Sequence, residues 1–369
     1  FQAAVDFFSF PTNLYSRKRG EIKMKVTESR YPTKYWHVID HDRIQCDLCP
    51  RFCKLKEGQR GLCFIRKNEQ GAVILTSYGR SSGFCIDPIE KKPFFHFLPG
   101  SESLSAAMVG CQFSCWNCQN WQISQGPRLT GKIESIASRD ITPKEIVEMA
   151  KKHNTPSISY TYTDPIVFSD YALDIMKLAK KEGFKNTWVT SGFLSKELFD
   201  LISPYLDAVN SDLKYFSDDK YLKYSGGRLQ PVLDTLKRIK DKGIWLEITT
   251  LVIPTISDSE EMFKNIANFI KNELGQETPW HISQFSGVIS WKLHHLPETP
   301  IETLKKAYQI GKDAGLKYVY IGNVPGSEFE DTFCPKCGAK MIERTGYFIT
   351  RHDQNGKCSK CGENLNIVE

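Results

Sequence analysis

The sequence predicts an α/β protein whose central part is a parallel sheet curled into a complete or partial barrel. From about residue 103, short apolar runs typical of buried strands alternate with segments of helical spacing. The connections between them are short, and repeated βα units of this kind build parallel sheets. Because ligands of such folds gather at the carboxyl ends of the strands, a site is expected at that edge.

Seven apolar runs are the predicted strands of this sheet. In order, they are 104–110, 157–162, 187–191, 207–213, 245–253, 280–285 and 317–322. After the first strand, ITPKEIVEMAKKH is a predicted helix, since Thr142 and Glu145 form a capping box and Pro143 takes the first helical position. In IVFSDYALDIMKLAKKEG the apolar residues again recur at helical spacing, and Gly183 is expected to end the helix.

Length and composition are those of a globular enzyme with room for about two domains. The chain has 369 residues, 40% hydrophobic and 25% charged, with a net charge of +6. No run approaches the ~18 apolar residues of a membrane span, so no membrane partner is expected. We assign 1–100 to a Cys-rich N-terminal module, 101–328 to the barrel and 329–369 to a small metal-binding tail. Met24 would be a natural start, which marks residues 1–23 as a candidate extension.

Twelve cysteines fall into three groups and one single residue. They are Cys46, Cys49, Cys53 and Cys63; Cys85 alone; Cys111, Cys115 and Cys118; and Cys334, Cys337, Cys358 and Cys361. C-x2-C pairs occur at four places, and no signal peptide is recognised near the first residue. Such spacing favours bound metal over disulfides and predicts a cytoplasmic protein.

The triplet Cys111, Cys115 and Cys118 is the most informative of these groups. It has the spacing C-x3-C-x2-C and directly follows the first predicted barrel strand. A [4Fe-4S] cluster is normally held by four cysteines, so three ligands leave one iron open. An open metal position can bind an exchangeable molecule.

With Trp116 between its second and third cysteines, the triplet resembles the signature of the radical S-adenosylmethionine (SAM) superfamily. The resemblance implies a partial (βα)6 barrel in which SAM chelates the open iron. One electron from the reduced cluster would then cleave SAM to a 5′-deoxyadenosyl radical, which abstracts hydrogen from a substrate.

Two longer segments narrow the resemblance. CDLCPRFCKLKEGQRGLCFIR near the front and LKYVYIGNVPG near the back are similar to the radical SAM members of the AmmeMemoRadiSam group, which resemble pyruvate formate-lyase activating enzymes. The similarity spans about 46–325. It implies a protein substrate, such as a glycyl residue, an electron donor, and Memo-like or AMMECR-like proteins as partners.

The same resemblance assigns roles at three strand ends. In SYTYTDP (159–165), Asp164 stands where the family motif has a glutamate that receives the SAM ammonium; by itself, Asp164 before a proline is also a good helix N-cap. Thr190 and Ser191 resemble a turn that contacts the ribose. Asp212 and Lys214 resemble a D-L-K motif whose lysine meets the SAM carboxylate, with a plain salt bridge as the alternative.

Further assignments follow from the later strands. His281 in Pro-Trp-His resembles a histidine that approaches SAM or substrate, so His281 and Lys214 are the candidate catalytic residues. Ile253 is either an apolar wall for the adenine or core. Trp116, Asp164, Thr190, Ser191, Asp212, Lys214 and Ile253 are thus the candidate SAM contacts.

The two outer groups each offer four thiolates. Cys46, Cys49, Cys53 and Cys63 suit either tetrahedral zinc or an iron–sulfur cluster. The tail holds two C-x2-C-G knuckles, in which glycine permits the tight turn after the second cysteine. Zinc would make the tail a ribbon, and iron a rubredoxin-like electron carrier.

Two other functions remain open on the sequence. One is an RNA-modifying radical SAM enzyme that binds nucleic acid through the tail, helped by the basic stretch 17–34. The other is an electron-transfer iron–sulfur protein without SAM chemistry.

Overall fold

The computed structural model describes residues 28–133, 139–324 and 326–369. The candidate extension and most of the basic stretch therefore lie outside the described residues. Eighteen strands and nine α-helices are named below in chain order. The strands are β1 Tyr31–Pro32, β2 Trp36–Val38, β3 Arg43–Cys46, β4 Lys54–Lys56, β5 Arg66–Glu69, β6 Ala72–Leu75, β7 Arg80–Pro88, β8 Glu102–Met108, β9 Arg139–Asp140, β10 Ser157–Tyr160, β11 Lys185–Thr190, β12 Ala208–Asp212, β13 Trp245–Val252, β14 Trp280–Gln284, β15 Val319–Gly322, β16 Thr332–Phe333, β17 Lys340–Thr345 and β18 Phe348–Arg351.

The central sheet is the predicted parallel one. Its order is β15-β14-β13-β12-β11-β10-β8-β7-β9, and every neighbouring pair from β8 to β15 is parallel. The seven predicted strands are all present, and every boundary lies within two residues of the predicted one. The sheet order runs from β15 at one edge to β9 at the other, as a partial barrel requires.

Helices connect these strands on the outside of the sheet. They are α1 Trp121–Ser124, α2 Gly126–Thr130, α3 Pro143–Lys152, α4 Ser169–Lys181, α5 Lys196–Ile202, α6 Asp218–Tyr224, α7 Leu229–Asp241, α8 Glu260–Phe269 and α9 Ile301–Asp313. The predicted capping box of α3 is confirmed, because Glu145 N donates to Thr142 Oγ1 and Thr142 N donates to the Glu145 carboxylate. Gly183, at φ +84°, follows the end of α4 as predicted.

The chain before residue 100 contributes to the barrel sheet. β7 pairs antiparallel with β8 from Ser81↔Met108 to Pro88↔Glu102. The boundary that we predicted near residue 100 therefore falls between two paired strands. The remaining N-terminal strands form two small antiparallel sheets, β1-β6-β5 and β2-β3-β4.

The part of the N-terminal module that carries the four cysteines lies at the carboxyl ends of the parallel strands. Ser195 N, just beyond β11, donates to Leu48 O. Buried Arg66 donates to Val167 O and pairs with Asp170 at 2.5 Å, both of which follow β10. These contacts place the four N-terminal cysteines at the same end of the barrel as the triplet.

The tail lies at the opposite end. Its sheet β16-β17-β18 is antiparallel, and Arg344 of β17 donates to Phe95 O in the segment that leads into β8. The last residues pair with the same segment, since Leu98 N donates to Val368 O and Val368 N to His96 O. The tail therefore packs against the amino ends of the strands. No helix among the described residues combines the length and apolar content needed to cross a membrane.

Candidate active site and metal centres

The triplet occupies a loop between β8 and α1 that backbone hydrogen bonds hold in place. Ser114 N donates to Ser225 O, and Trp116 N donates to Tyr224 O, at 3.0 and 2.9 Å. Gln125 Nε2 donates to Phe113 O. The distant segment Tyr224–Ser225 and the nearby Gln125 thus hold the three cysteines at the carboxyl end of β8, where the sequence predicted a site.

The sulfur atoms of the triplet have polar neighbours. Cys115 Sγ lies 3.4 Å from Ser225 Oγ, and Cys118 Sγ lies 3.3 Å from Ser124 Oγ. Burial raises the pKa of all three thiols, that of Cys118 to about 11, although the nearby Lys214 cation opposes this shift at Cys115. Thiols that burial holds neutral become thiolates when they bind metal. Three half-buried cysteines, two of them with a hydroxyl neighbour, therefore fit an iron–sulfur cluster.

Asp164 is the centre of the polar cluster beside the triplet. Its Oδ2 accepts from Gln112 Nε2 at 2.8 Å, Ser191 N at 2.9 Å and Ser191 Oγ at 2.6 Å. Its Oδ1 accepts from Thr190 Oγ1 at 2.8 Å and Ile166 N at 3.3 Å. The structure thus brings together the predicted Asp164, Thr190 and Ser191. Since a carboxylate has about four acceptor sites, an incoming ammonium would have to displace one of these donors.

Asp212 and Lys214 form the predicted pair at the end of β12. Lys214 Nζ lies 2.7 Å from Asp212 Oδ2. Burial acts to lower the pKa of Lys214, but the Asp212 carboxylate and Cys115 outweigh it and hold that pKa well above its ordinary value. The lysine is therefore a permanent cation next to the triplet, suited to an anionic group.

The structure does not bring His281 to this site. His281 Nε2 lies 2.7 Å from the buried Glu247 carboxylate, and its ring packs edge-on against Phe95. Glu247 also accepts from the backbone N–H groups of Phe95 and His96, which lie at the amino ends of the strands. The predicted approach of His281 to SAM or substrate is thus corrected, because this side chain is used in a buried network at the end of the barrel that faces away from the triplet.

The two remaining predicted contacts lie at the carboxyl ends. Ile253 follows β13 and is 1% exposed within the main core. Trp116 is half-buried, packs edge-on against Tyr224 with 5.3 Å between ring centroids, and accepts at its carbonyl from Lys292 N. Their contacts with SAM stay predictions.

The tail cysteines have the spacing of a single-metal site. Cys334 Sγ lies 3.6 Å from Cys361 Sγ, and Cys337 Sγ lies 3.6 Å from Cys358 Sγ. Metal–sulfur bonds of ~2.3 Å in a tetrahedron give sulfur–sulfur distances of about 3.8 Å. Gly338 and Gly362 have φ of +71° and +76°, as the predicted knuckles require.

Sequence reasoning missed Gln112 and Ser225. The Gln112 amide and the Ser225 hydroxyl neither titrate nor are typical metal ligands, so neither residue was a candidate. Gln112 nevertheless lies inside the triplet motif. The signal for Ser225 was the Gly226-Gly227 pair that follows it. A Cβ on Gly227 would lie 2.4 Å from the Phe113 ring, so the turn can approach the triplet loop only without a side chain there.

One protein family and several known proteins are similar to this chain in sequence. Residues 106–270 match the family described as the radical SAM superfamily. The chain is 43% identical to the uncharacterized protein MJ0808 of Methanocaldococcus jannaschii, over 90% of this chain and 98% of that protein. It is 25% identical to the pyruvate formate-lyase-activating enzyme of Clostridium pasteurianum, over 53% of this chain and 84% of that enzyme.

Among solved structures, a domain of the pyruvate-formate lyase-activating enzyme from Bacteroides vulgatus ATCC 8482 aligns with a TM-score of 0.40 and 17% identity. That alignment covers 45% of this chain and 99% of that domain. The sequence matches, together with a cysteine triplet at the carboxyl end of a parallel strand, lead to one conclusion: the chain belongs to the radical SAM superfamily.

Proposed function

We propose that this enzyme cleaves SAM reductively and directs the resulting 5′-deoxyadenosyl radical at a hydrogen atom of a protein, as glycyl-radical activating enzymes do. The observation that carries the proposal is the triplet at the carboxyl end of β8, beside the Lys214–Asp212 pair and the Asp164 cluster. When bound, a [4Fe-4S] cluster supplies the electron for cleavage and an open iron for the cofactor.

The residues of the chain have distinct tasks in this proposal. Cys111, Cys115 and Cys118 hold the cluster. Lys214 attracts the SAM carboxylate, while Asp212 keeps that lysine charged and oriented. Asp164 is better suited to positioning, because it holds the ends of β10 and β11 to the triplet loop.

Gln112 is the link in this arrangement. Its side chain binds Asp164 and Ser191, at 2.8 and 3.0 Å, and its backbone lies between two residues of the triplet loop. A displacement of the triplet loop would therefore also displace Ser191, in the turn that is predicted to contact the ribose. Such coupling keeps cluster and SAM site in one geometry.

A protein substrate is supported by the names of relatives and by the surface near the triplet. The relative in Clostridium pasteurianum is named as an activating enzyme for pyruvate formate-lyase. Val288 and Ile289 are 78% and 36% exposed, and the neighbouring Ser290 Oγ donates to Trp116 O at 3.1 Å. Exposed apolar side chains beside the triplet loop suit a polypeptide partner.

The proposal extends to partners and compartment. A low-potential one-electron donor is required, and the resemblance described above makes Memo-like and AMMECR-like proteins the first protein substrates to test. We place the enzyme in the cytoplasm, where thiols stay reduced and iron–sulfur ligation is favoured.

The test is SAM cleavage by anaerobically reconstituted protein with dithionite. We expect 5′-deoxyadenosine from the wild type and from Cys85→Ala, which changes the one cysteine outside the three groups. Cys115→Ala should lose the cluster of the triplet, seen as a lower iron–sulfur absorbance, and with it SAM cleavage. Cleavage that survives in Cys115→Ala, or that is absent from fully loaded wild type, would refute the proposal.

A further inference from the structure

The four N-terminal cysteines line one small cavity. Its wall also includes Arg51, Arg66 and Gln112, the last from the triplet loop. Cys46, Cys49 and Cys63 are buried, and Cys53 is half-buried. Four thiols and two cations around one enclosed space form a site for a bound metal group, since thiolates carry negative charge that arginines offset.

The spacing of the sulfur atoms separates the possible metal groups. In the described residues, the tail cysteines are the one set of potential ligands that all lie within 4.8 Å of one another. The N-terminal four do not meet this spacing, and neither does the triplet. In a cubane each cysteine binds a different iron, so its sulfurs lie farther apart than those around a single ion. The N-terminal group therefore resembles the triplet rather than the tail.

Arg66 provides a second, independent observation. It is fully buried, lines the cavity, and uses Nε for Val167 O and Nη2 for Asp170. Its Nη1 is buried without a hydrogen-bond partner in the protein. An orphaned guanidinium donor among four cysteines fits a bound group that accepts hydrogen bonds through sulfur.

The cavity adjoins the triplet directly. A Cβ on Gly110 would lie 2.7 Å from Cys63 O, so the two cysteine loops are in backbone contact. Arg128 Nη2 donates to both Leu62 O and Cys111 O. Arg51 Nε donates to Gln112 O. The tail, by contrast, packs at the amino ends of the strands.

We propose that Cys46, Cys49, Cys53 and Cys63 bind a second [4Fe-4S] cluster, and that this cluster passes electrons to the cluster of the triplet. A low-potential donor protein loses one electron and reduces the N-terminal cluster. That cluster is reoxidised as the triplet cluster gains the electron, and no proton or bond is exchanged. The tail, at the far end of the barrel, has a structural single-metal role.

Measuring acid-labile sulfide distinguishes an iron–sulfur cluster from a single metal ion, because only the cluster contains inorganic sulfide. A single zinc or iron ion in the tail adds none. The test protein is full-length Cys111→Ala/Cys115→Ala/Cys118→Ala, reconstituted anaerobically with iron and sulfide. It should keep about four sulfides per chain, against about eight in the wild type. Adding Cys46→Ala and Cys49→Ala should remove the remaining sulfide. This readout is independent of SAM cleavage, so it stands or falls separately from the proposed function.

If the triplet variant contains no acid-labile sulfide and holds zinc at the N-terminal cysteines, the inference is wrong. Cys85→Ala is the matched control and should keep the sulfide content of the wild type. If the variants lose structure, judged by circular dichroism, the intact protein supplies the decision through electron paramagnetic resonance. Two spin-coupled reduced clusters are expected after dithionite, and a single uncoupled cluster would contradict the proposal.

Discussion

Cys63 and Gly110 touch through their backbones, and this contact joins the N-terminal cysteine loop to the triplet loop. A Cβ on Gly110 would lie 2.7 Å from Cys63 O and 3.0 Å from a methyl carbon of Ile65. Gly110 also has φ of +88°, a conformation that residues with a side chain avoid. Position 110 therefore requires glycine for two reasons, because a side chain would clash with Cys63 and Ile65 and because the backbone has a positive φ.

Gly110→Ala tests this contact against Gly183→Ala. Gly183 has a similar φ of +84°, but a Cβ there would meet nothing within 4 Å. We expect Gly183→Ala to lower the free energy of unfolding by about 1–2 kcal/mol, the cost of the left-handed backbone alone. Gly110→Ala should lower the free energy of unfolding by about 1–3 kcal/mol more than Gly183→Ala does, because the added methyl group overpacks the contact. It should also lower the iron content of the reconstituted protein. Equal effects of the two variants in urea unfolding would contradict the contact.

Lys214→Met removes the cation beside the triplet and keeps its aliphatic stem. If Lys214 binds the SAM carboxylate, SAM affinity should fall roughly tenfold to a hundredfold, equivalent to about 1.5–3 kcal/mol. Anaerobic equilibrium dialysis measures this at unchanged iron content. Lys223→Met is the control, since Lys223 is an exposed residue of α6 with its Nζ 5.0 Å from the Tyr224 ring centroid. Unchanged SAM binding in Lys214→Met would exclude that role.

Asp164→Asn replaces one acceptor oxygen of a crowded carboxylate by an amide donor. At least one of the donors from Gln112, Thr190 and Ser191 then loses its partner, at about 1–3 kcal/mol of unfolding free energy. Asp258→Asn, at a carboxylate that accepts from Thr255 N, should cost less. Thermal unfolding of the two variants compares them, and a loss in Asp164→Asn no larger than in Asp258→Asn would speak against the positioning role.

His281→Phe keeps the ring shape and removes the hydrogen bond to Glu247. We expect a loss of about 1–3 kcal/mol in stability, because a buried carboxylate loses one partner. SAM cleavage per loaded cluster should stay within about twofold of wild type, since His281 lies at the amino ends of the strands. A tenfold drop in 5′-deoxyadenosine at normal iron content would restore the catalytic assignment.

His96 makes the stability of the amino end depend on pH. Burial lowers the pKa of His96 to about 4, from an ordinary value of 6.5. The unfolded chain binds this proton below pH 6.5 and the folded chain only below about pH 4, so stability is lost as pH falls through that window. At pH 5 the loss is roughly 2 kcal/mol relative to pH 7. Urea unfolding of wild type and His96→Gln at both pH values checks this, and an equal pH dependence would contradict it.

Much of the barrel could be predicted because local patterns and tertiary structure agree. The strand runs are apolar, and their parallel neighbours bury both faces. The capping box at Thr142 and Glu145 needs only contacts within one turn of helix, so it could be found from sequence. The cysteine groups were visible because metal ligands have characteristic spacing.

The rest depended on contacts between distant segments. His281 resembles a family histidine. Whether it faces the cofactor or the core depends on Glu247 of the neighbouring strand β13 and on Phe95, which is far away in sequence. The choice between zinc and a cluster at Cys46–Cys63 depends on distances between sulfurs, which C-x2-C spacing leaves open. The importance of Gln112 could not be predicted for a similar reason. It depends on the hydrogen bond to Asp164, which the fold brings close from the end of β10.

The pairing of Val368 with Leu98 and His96 has a consequence for biosynthesis. Val368 is synthesised long after its partners Leu98 and His96. Until the tail emerges, the backbone groups of Leu98 and His96 lack their partners, and the rings of Phe95 and Phe97 lie at an unfinished surface. This end of the barrel is therefore completed only after Val368 has been synthesised, and until then the nascent chain would benefit from a chaperone.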